Sequence, residues 1–208
     1  MLDTAARQVL ARPLADLARL VDHPRVSPNR LTLLGLATGL ASAAAAAGHL
    51  WWWALALWWF SRAMDGLDGP LARRRRAAAH TPETGAGGFL DITADFTVYG
   101  ATVVGVAIGA TSQHGASWLP FMAVLLAYYV NGAAFLAFSS IAERTGRQRD
   151  DGRSLSFLGG LAEGTETIIV HSLWLAFPAH ADVIATLWAA VVGVSAVQRI
   201  VAGARDLA

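Results

Sequence analysis

The fold class predicted by the sequence is an all-α integral membrane protein, a six-transmembrane-helix bundle with an N-terminal amphipathic surface helix. Three observations predict it. Of the 208 residues, 55% are hydrophobic and 15% charged, against roughly 25% charge in a typical soluble domain. Apolar runs of about 18 residues or more recur, each long enough to cross a bilayer. The basic residues, sixteen arginines and no lysine, fall mostly in alternate connections between those runs. There is no cysteine, which excludes disulfides and thiol chemistry. The formal net charge of +1 points to no nucleic-acid partner. No secretory leader is expected, because Asp3, Arg7 and Arg12 interrupt what would be its apolar core.

Residues 2–22 place Leu2, Ala6, Val9, Leu10, Leu14, Leu17 and Val21 at helical spacing, with Arg7, Arg12 and Arg19 between them. That pattern suits a helix lying on the membrane surface or packing on the bundle. Pro13 is expected to kink or split it. Residues 1–27 thus form an amphipathic juxtamembrane segment, and residues 28–208 one membrane domain without internal repeats. Ser27 can cap a first membrane helix entered at Pro28, where proline is tolerated, and running from about Leu31 to Leu50. Its Gly35 and Gly39 offer a close-packing face.

The second membrane helix spans about Trp51 to Arg73. Trp51, Trp52, Trp53, Trp58 and Trp59 suit the headgroup level. Arg62, one turn before Asp65, is placed for an intrahelical ion pair or a phosphate contact. Arg74, Arg75 and Arg76 in the following loop read as an orientation signal and an anionic-lipid contact. A third helix covers about Gly88 to Ser112 and a fourth about Trp118 to Ile141, where Asn131 is expected to bond between helices. After the polar connection 143–153, a fifth helix runs to about Phe177. Glu163 and Glu166 at its start suit either the positive end of a helix dipole or a substrate pocket. His171 is expected to be a bonded interior histidine. The sixth helix covers about Ala181 to Gly203.

The N-terminus, the loops after the second and fourth helices and the C-terminus are the arginine-bearing connections; those near His49, Gln113-His114 and Pro178-His180 hold none. Under the positive-inside rule the arginine side is cytoplasmic.

Asp65 and Asp68 are three residues apart, Asp91 and Asp95 four apart, so each pair stacks on one helix face. A carboxylate in a membrane segment costs roughly 2.5–3.5 kcal/mol. Hard divalent cations, bound through carboxylate oxygens and a substrate phosphate, would offset that cost. Taken alone, the four are either metal ligands or helix-end charges.

Asp65, Asp68, Gly69, Ala72, Arg73, Gly87, Asp91 and Asp95 together fill a pattern D-x-x-D-G-x-x-A-R, spacer, G-x-x-x-D-x-x-x-D. In this the chain resembles the CDP-alcohol phosphotransferase (phosphatidyltransferase) family. The thirteen residues between Arg73 and Gly87 make a longer spacer than is usual there, with Gly85 and Gly88 close by. The Pro28-Asn29-x-x-Thr32 start of the first membrane helix is similar to the family as well.

The resemblance implies an enzyme that transfers a substituted phosphate from a CDP-linked donor to a hydroxyl acceptor and releases CMP. It implies that Asp65, Asp68, Asp91 and Asp95 ligate Mg²⁺ or Mn²⁺, in two ions, and that Asp95 takes the acceptor's proton. Gly69 and Ala72 allow the CDP moiety close approach, Arg73 can donate to its phosphates, and Gly87 belongs to the same subsite. CDP-diacylglycerol is the expected donor, a small alcohol the expected acceptor and the lipid bilayer the expected surroundings. A soluble CDP-alcohol donor with a lipid acceptor uses the same motif. Arg144, Arg147, Arg149 and Arg153 are candidates for binding a phosphorylated acceptor, or are topology charges. A homodimer is also implied, and Gly35/Gly39 and Gly105/Gly109 permit close helix packing. The site is expected at the cytoplasmic face of the cell membrane. An intramembrane metal-ion transporter is the rival reading, but it leaves the glycine, alanine and arginine positions unexplained.

Overall fold

A computed structural model describes residues 2–80, 85–147 and 161–208, with side chains from residue 8 onward. Within them the chain forms seven α-helices: α1 (Leu2–Leu20), α2 (Pro28–Ala47), α3 (Trp51–Ala79), α4 (Ala86–His114), α5 (Leu119–Arg144), α6 (Gly164–Ala176) and α7 (Ala181–Leu207). A 3-10 turn, Pro178–His180, leads into α7. Arg149 and Arg153 lie outside the described residues.

Local chemistry accounts for the helix ends. Ser27 caps α2, its Oγ accepting from the Arg30 N–H at 3.2 Å, with Pro28 in the first turn. Two residues with positive φ mark the turn between α3 and α4: His80 (53°) ends the first and Gly85 (72°) precedes the second. Gly85 is thus the glycine that the backbone requires. Helix α1 continues through Pro13 without being split in two.

Four helical stretches are long and apolar enough to cross a membrane: Pro28–Ala47, Ala86–His114, Leu119–Arg144 and Pro178–Leu207. The other two expected spans differ. Arg62, Asp65 and Asp68 interrupt the apolar half of α3, and α6 has 13 residues, about 20 Å against a hydrocarbon layer of about 30 Å. Among the described residues, length and apolarity alone therefore support four crossings rather than six.

Packing is closest where side chains are smallest. A Cβ on Gly105 or Gly109 would strike the carbonyl of Ala43 or Ala46, and one on Gly35 would lie 3.2 Å from the Ser61 carbonyl. These glycines close α2 onto α3 and α4 within the chain, so they are not a free dimer face. Ser42 Oγ donates to the Ala54 carbonyl (2.7 Å) and Ser61 Oγ to the Gly35 carbonyl (2.6 Å), tying α2 to α3. Helix α5 packs along α7 and α1 rests on α3, where Leu14 and Ala18 meet Leu67 and Leu71. Val9, Leu10, Leu17 and Leu20 stay exposed on α1, so the helix both packs on the bundle and presents an apolar surface.

Several side chains depart from expectation. Trp52, Trp53 and Trp59 are exposed, but Trp58 is wholly buried and belongs to the core, not to an interfacial belt. Arg74 and Arg75 are held by Asp22, at 2.9 and 2.8 Å, rather than standing free for lipid. Their guanidinium groups hold the Asp22 carboxyl below the usual carboxylate range. Asn131 Oδ1 is buried with no hydrogen-bond partner among the described residues, so it does not make the expected interhelical bond. His171 matches expectation: it is fully buried, with Nε2 2.9 Å from the Tyr128 hydroxyl.

Candidate active site

Two stripes of side chains face each other across α3 and α4. On α3, Trp58, Arg62, Asp65, Asp68 and Ala72 follow at three- and four-residue steps, with Gly69 next to Asp68; on α4, Gly87, Asp91, Asp95 and Tyr99 follow at steps of four. Such spacing keeps each set on one face. The helices run antiparallel, and the stripes pair in reverse order. The rings of Trp58 and Tyr99 are 6.0 Å apart, Arg62 Nη1 donates to Asp95 Oδ1 at 2.6 Å, and Asp65 and Asp91 are electrostatic neighbours. Helix α2 packs against both and supplies Thr32, whose hydroxyl donates to Asp68 Oδ2. The four aspartates therefore form one electrostatic cluster.

Arg62 sits inside that cluster with its side chain 4% exposed. Besides Asp95 it approaches Asp65 Oδ2 (3.6 Å), donates to the Tyr99 hydroxyl (3.3 Å) and donates to Ser61 Oγ (3.0 Å). Its guanidinium carbon lies 5.2 Å from the Trp58 ring and 5.1 Å from the Tyr99 ring, within cation–π range. Trp58 in turn stacks on His171 at 4.9 Å.

At the open end, the Arg73 guanidinium folds back over Gly69, where a Cβ would stand 3.2 Å from Nη1. Gly87 is exposed, and only Asn29 Oδ1 comes within 4 Å of the place where its Cβ would be, at 3.9 Å. Ala72 is half-buried beside them. Arg144 and Arg147 are exposed where α5 ends, and Arg147 Nη1 donates to the Asp206 carbonyl on α7 at 3.1 Å. Glu163 and Glu166 flank the start of α6, where Glu163 makes no side-chain capping bond. Sequence reasoning missed Tyr99, the bond from Thr32 to Asp68 and the cross-helix reach of Arg62. The available signals were the four-residue step from Asp95 to Tyr99 and from Trp58 to Arg62.

The donor set is entirely oxygen, four carboxylates with a hydroxyl beside them, and suits Mg²⁺ or Mn²⁺. Among the described residues no three His, Cys, Asp or Glu side chains converge as around a bound ion. Asp95 turns to Arg62 and Asp68 to Thr32. The residues fit a divalent ion by chemistry and charge, and those partners hold the carboxylates in its place.

Residues 25–196 match the family model described as CDP-alcohol phosphatidyltransferase. The chain is 37% identical to the inner membrane protein YnjF of Escherichia coli K12 over 185 residues, which cover 86% of this chain and 84% of that one. It is 28% identical to a phosphatidylinositol phosphate synthase of Mycobacteroides abscessus over 167 residues, 79% and 69% of the two chains. Its fold is shared with the CDP-DAG-bound phosphatidylinositol phosphate synthase of Mycobacterium tuberculosis, at a TM-score of 0.70, 23% identity and coverage of 92% and 94%. With four apolar spans and a family model that matches most of its length, this multi-pass membrane protein belongs to the CDP-alcohol phosphatidyltransferase family.

Proposed function

We propose that this chain transfers a phosphatidyl group from CDP-diacylglycerol to a hydroxyl of a small alcohol, releasing CMP. The observation that carries the proposal is the reversed pairing of α3 and α4, which gathers all four motif aspartates at one place. The CDP-DAG bound to the M. tuberculosis protein of the same fold supports the choice of donor.

Phosphoryl transfer demands alignment and charge neutralisation more than a covalent nucleophile. Asp65, Asp68, Asp91 and Asp95 would hold two Mg²⁺ or Mn²⁺ ions, which when bound neutralise the pyrophosphate and stabilise the departing CMP. Arg73, folded over Gly69 at the exposed end, donates to the phosphates of the CDP moiety. Gly69, Ala72 and Gly87 leave room for that moiety beside the backbone. Asp95 accepts the proton of the acceptor hydroxyl as its oxygen bonds to the phosphatidyl phosphorus. The bond from that phosphorus to the CMP oxygen breaks, and its electron pair leaves with CMP. Arg144 and Arg147, with Arg149 and Arg153 beyond them, suit an acceptor that carries a phosphate.

The arginine-bearing connections support a site at the cytoplasmic face of the cell membrane, in a bundle where α3 and α6 join the four apolar spans. The active form is a homodimer joined by a surface other than the glycine faces of α2 and α4. A monomeric mass in nanodiscs with full activity would overturn that assignment.

The deciding experiment measures CMP release from CDP-diacylglycerol by the purified protein, with Mg²⁺ and a panel of free and phosphorylated alcohols. Release that requires one of the alcohols is expected. Release from a soluble CDP-alcohol with diacylglycerol, and none from CDP-diacylglycerol, would refute the assignment of the donor.

A further inference from the structure

Arg62 fills no position of the aspartate motif, yet it is a buried and heavily engaged cation. Four side-chain oxygens surround it: Asp95 Oδ1 at 2.6 Å, Ser61 Oγ at 3.0 Å, the Tyr99 hydroxyl at 3.3 Å and Asp65 Oδ2 at 3.6 Å. Two aromatic faces flank it. Ser61 is anchored in turn on the Gly35 carbonyl of α2. Trp58 donates to Ser172 Oγ at 3.1 Å and stacks on His171; His171 bonds Tyr128, which accepts from Trp188 Nε1 at 2.7 Å. Residues of α2, α4, α5, α6 and α7 thus buttress one guanidinium of α3. A surface ion pair has no such frame, and the rotamer of Arg62 is fixed before any ligand arrives.

We propose that Arg62 is a positioning residue, a cation built into the fold that holds Asp95 by one carboxylate oxygen and competes with divalent ions for the aspartate cluster. The proposal rests on the phosphatidyltransferase reading of that cluster. Arg62 engages Oδ1 of Asp95, so Oδ2 is the oxygen to meet the acceptor. The same charge opposes a second cation at Asp65 and Asp95, so it lowers ion affinity while it improves the geometry of the base. A merely structural arginine would do neither, because its loss would loosen the site for ions and substrates alike.

The test compares Arg62→Met and Arg62→Lys with the wild-type protein, purified in detergent and checked for a single folded species by size exclusion. Free Mn²⁺ is followed by its paramagnetic resonance signal, and CMP release gives kcat and KM for CDP-diacylglycerol. For Arg62→Met, Mn²⁺ should bind on the order of tenfold tighter. Its kcat should fall by about 10² or more, with KM changed far less. Arg62→Lys keeps the charge but loses the fork that reaches Asp95 and Ser61 together, so kcat should fall while Mn²⁺ affinity stays near wild type. Weaker Mn²⁺ binding in a folded Arg62→Met protein overturns the proposal. Where the Met variant does not fold, the Lys variant decides: lowered kcat at unchanged Mn²⁺ affinity supports it, and full kcat overturns it. If the wild type released no CMP, the transferase reading would fall, whereas tighter Mn²⁺ binding by Arg62→Met would still establish the competition.

Discussion

Asp95→Asn separates chemistry from architecture at one position. The amide keeps the size of the side chain and one oxygen for Arg62 Nη1, now 2.6 Å from Asp95 Oδ1, but it loses the charge and the proton acceptor. Removing one partner of a fully buried pair costs about 3–5 kcal/mol. Here the loss is smaller, because Asp95 is 29% exposed and Asp65 Oδ2 remains 3.6 Å from the guanidinium. About 1.5–3 kcal/mol, the range for a hydrogen bond to a charged group, is the appropriate bracket. Loss of a general base lowers turnover by about 10²–10⁴-fold, or about 3–5 kcal/mol in the barrier. The effect on turnover therefore exceeds the effect on stability. The assays are CMP release at saturating donor, binding of CDP-diacylglycerol and a thermal melt. A fall in turnover of at least about 100-fold is expected, with donor binding within a few-fold of wild type. Near-normal turnover refutes the role of Asp95 as base, and so does a loss of donor binding as large as the loss of turnover. Asp65→Asn is the contrast: it should weaken Mn²⁺ binding, since an amide offers one oxygen and no charge.

Three further outcomes follow from the packing and charges. Gly105→Val forces a side chain into the Ala43 carbonyl and should cost about 1–3 kcal/mol in a melt; Gly100→Ala, with nothing within 4 Å of its Cβ, should not lower Tm. Asp22 has its carboxyl held below the usual range by Arg75 and Arg74, so its contribution is full above the unfolded carboxylate value and is lost as pH falls through the lowered one. Asp22→Asn should therefore melt below wild type at pH 7, with the gap closing in acid; a gap that persists there would contradict the ion pair. Because the chain has no cysteine, Ser117→Cys and Arg144→Cys report orientation cleanly. An impermeant thiol reagent should label the first but not the second in intact cells, and the reverse pattern would invert the topology.

What was legible in the sequence was whatever a single helix encodes. Apolar spacing located the helices of the described residues, though not how many of them are fit to cross a membrane, and the motif located the aspartates, because both are repeats along one chain segment. The end of α3 was misjudged for a local reason. Arg74–Arg76 and Ala77–Ala79 read as a charged loop, but arginine and alanine are strong helix formers and the helix continues to Ala79. Trp58 was grouped with its neighbours by composition, although its own helix face turns inward. The remaining gaps concern pairs of helices. Whether Gly105 meets another chain or Ala43 of its own, and whether Arg62 serves Asp65 or Asp95, depends on the register between α2, α3 and α4. No spacing within one helix specifies that register.

That register also resolves a cost visible in the sequence. Four carboxylates at the bilayer centre would cost about 10–14 kcal/mol at the insertion scale's rate per group. Trp51 Nε1 donates to Gln113 Oε1 at 2.6 Å, which sets a common level for the arginine-free ends of α3 and α4. At 1.5 Å per residue, Asp65 and Asp68 lie about 21 and 25 Å from that level along α3, and Asp95 and Asp91 about 27 and 33 Å along α4. In a hydrocarbon layer of about 30 Å, the cluster therefore occupies the third nearest the arginine-bearing surface. A cluster at that depth would be open to water and a nucleotide, and the acyl chains of the proposed lipid donor would extend along the exposed apolar faces of the helices. Arg62, deepest on the α3 stripe after Trp58, puts a positive charge where water is scarcest, and Arg73 stands at the exposed end, where the phosphates of the proposed donor would arrive. The order along α3 from aromatic ring to fixed cation, carboxylates, glycine and exposed arginine is thus a gradient of hydration. It explains why a site built for phosphates can be carried by two helices that otherwise face lipid.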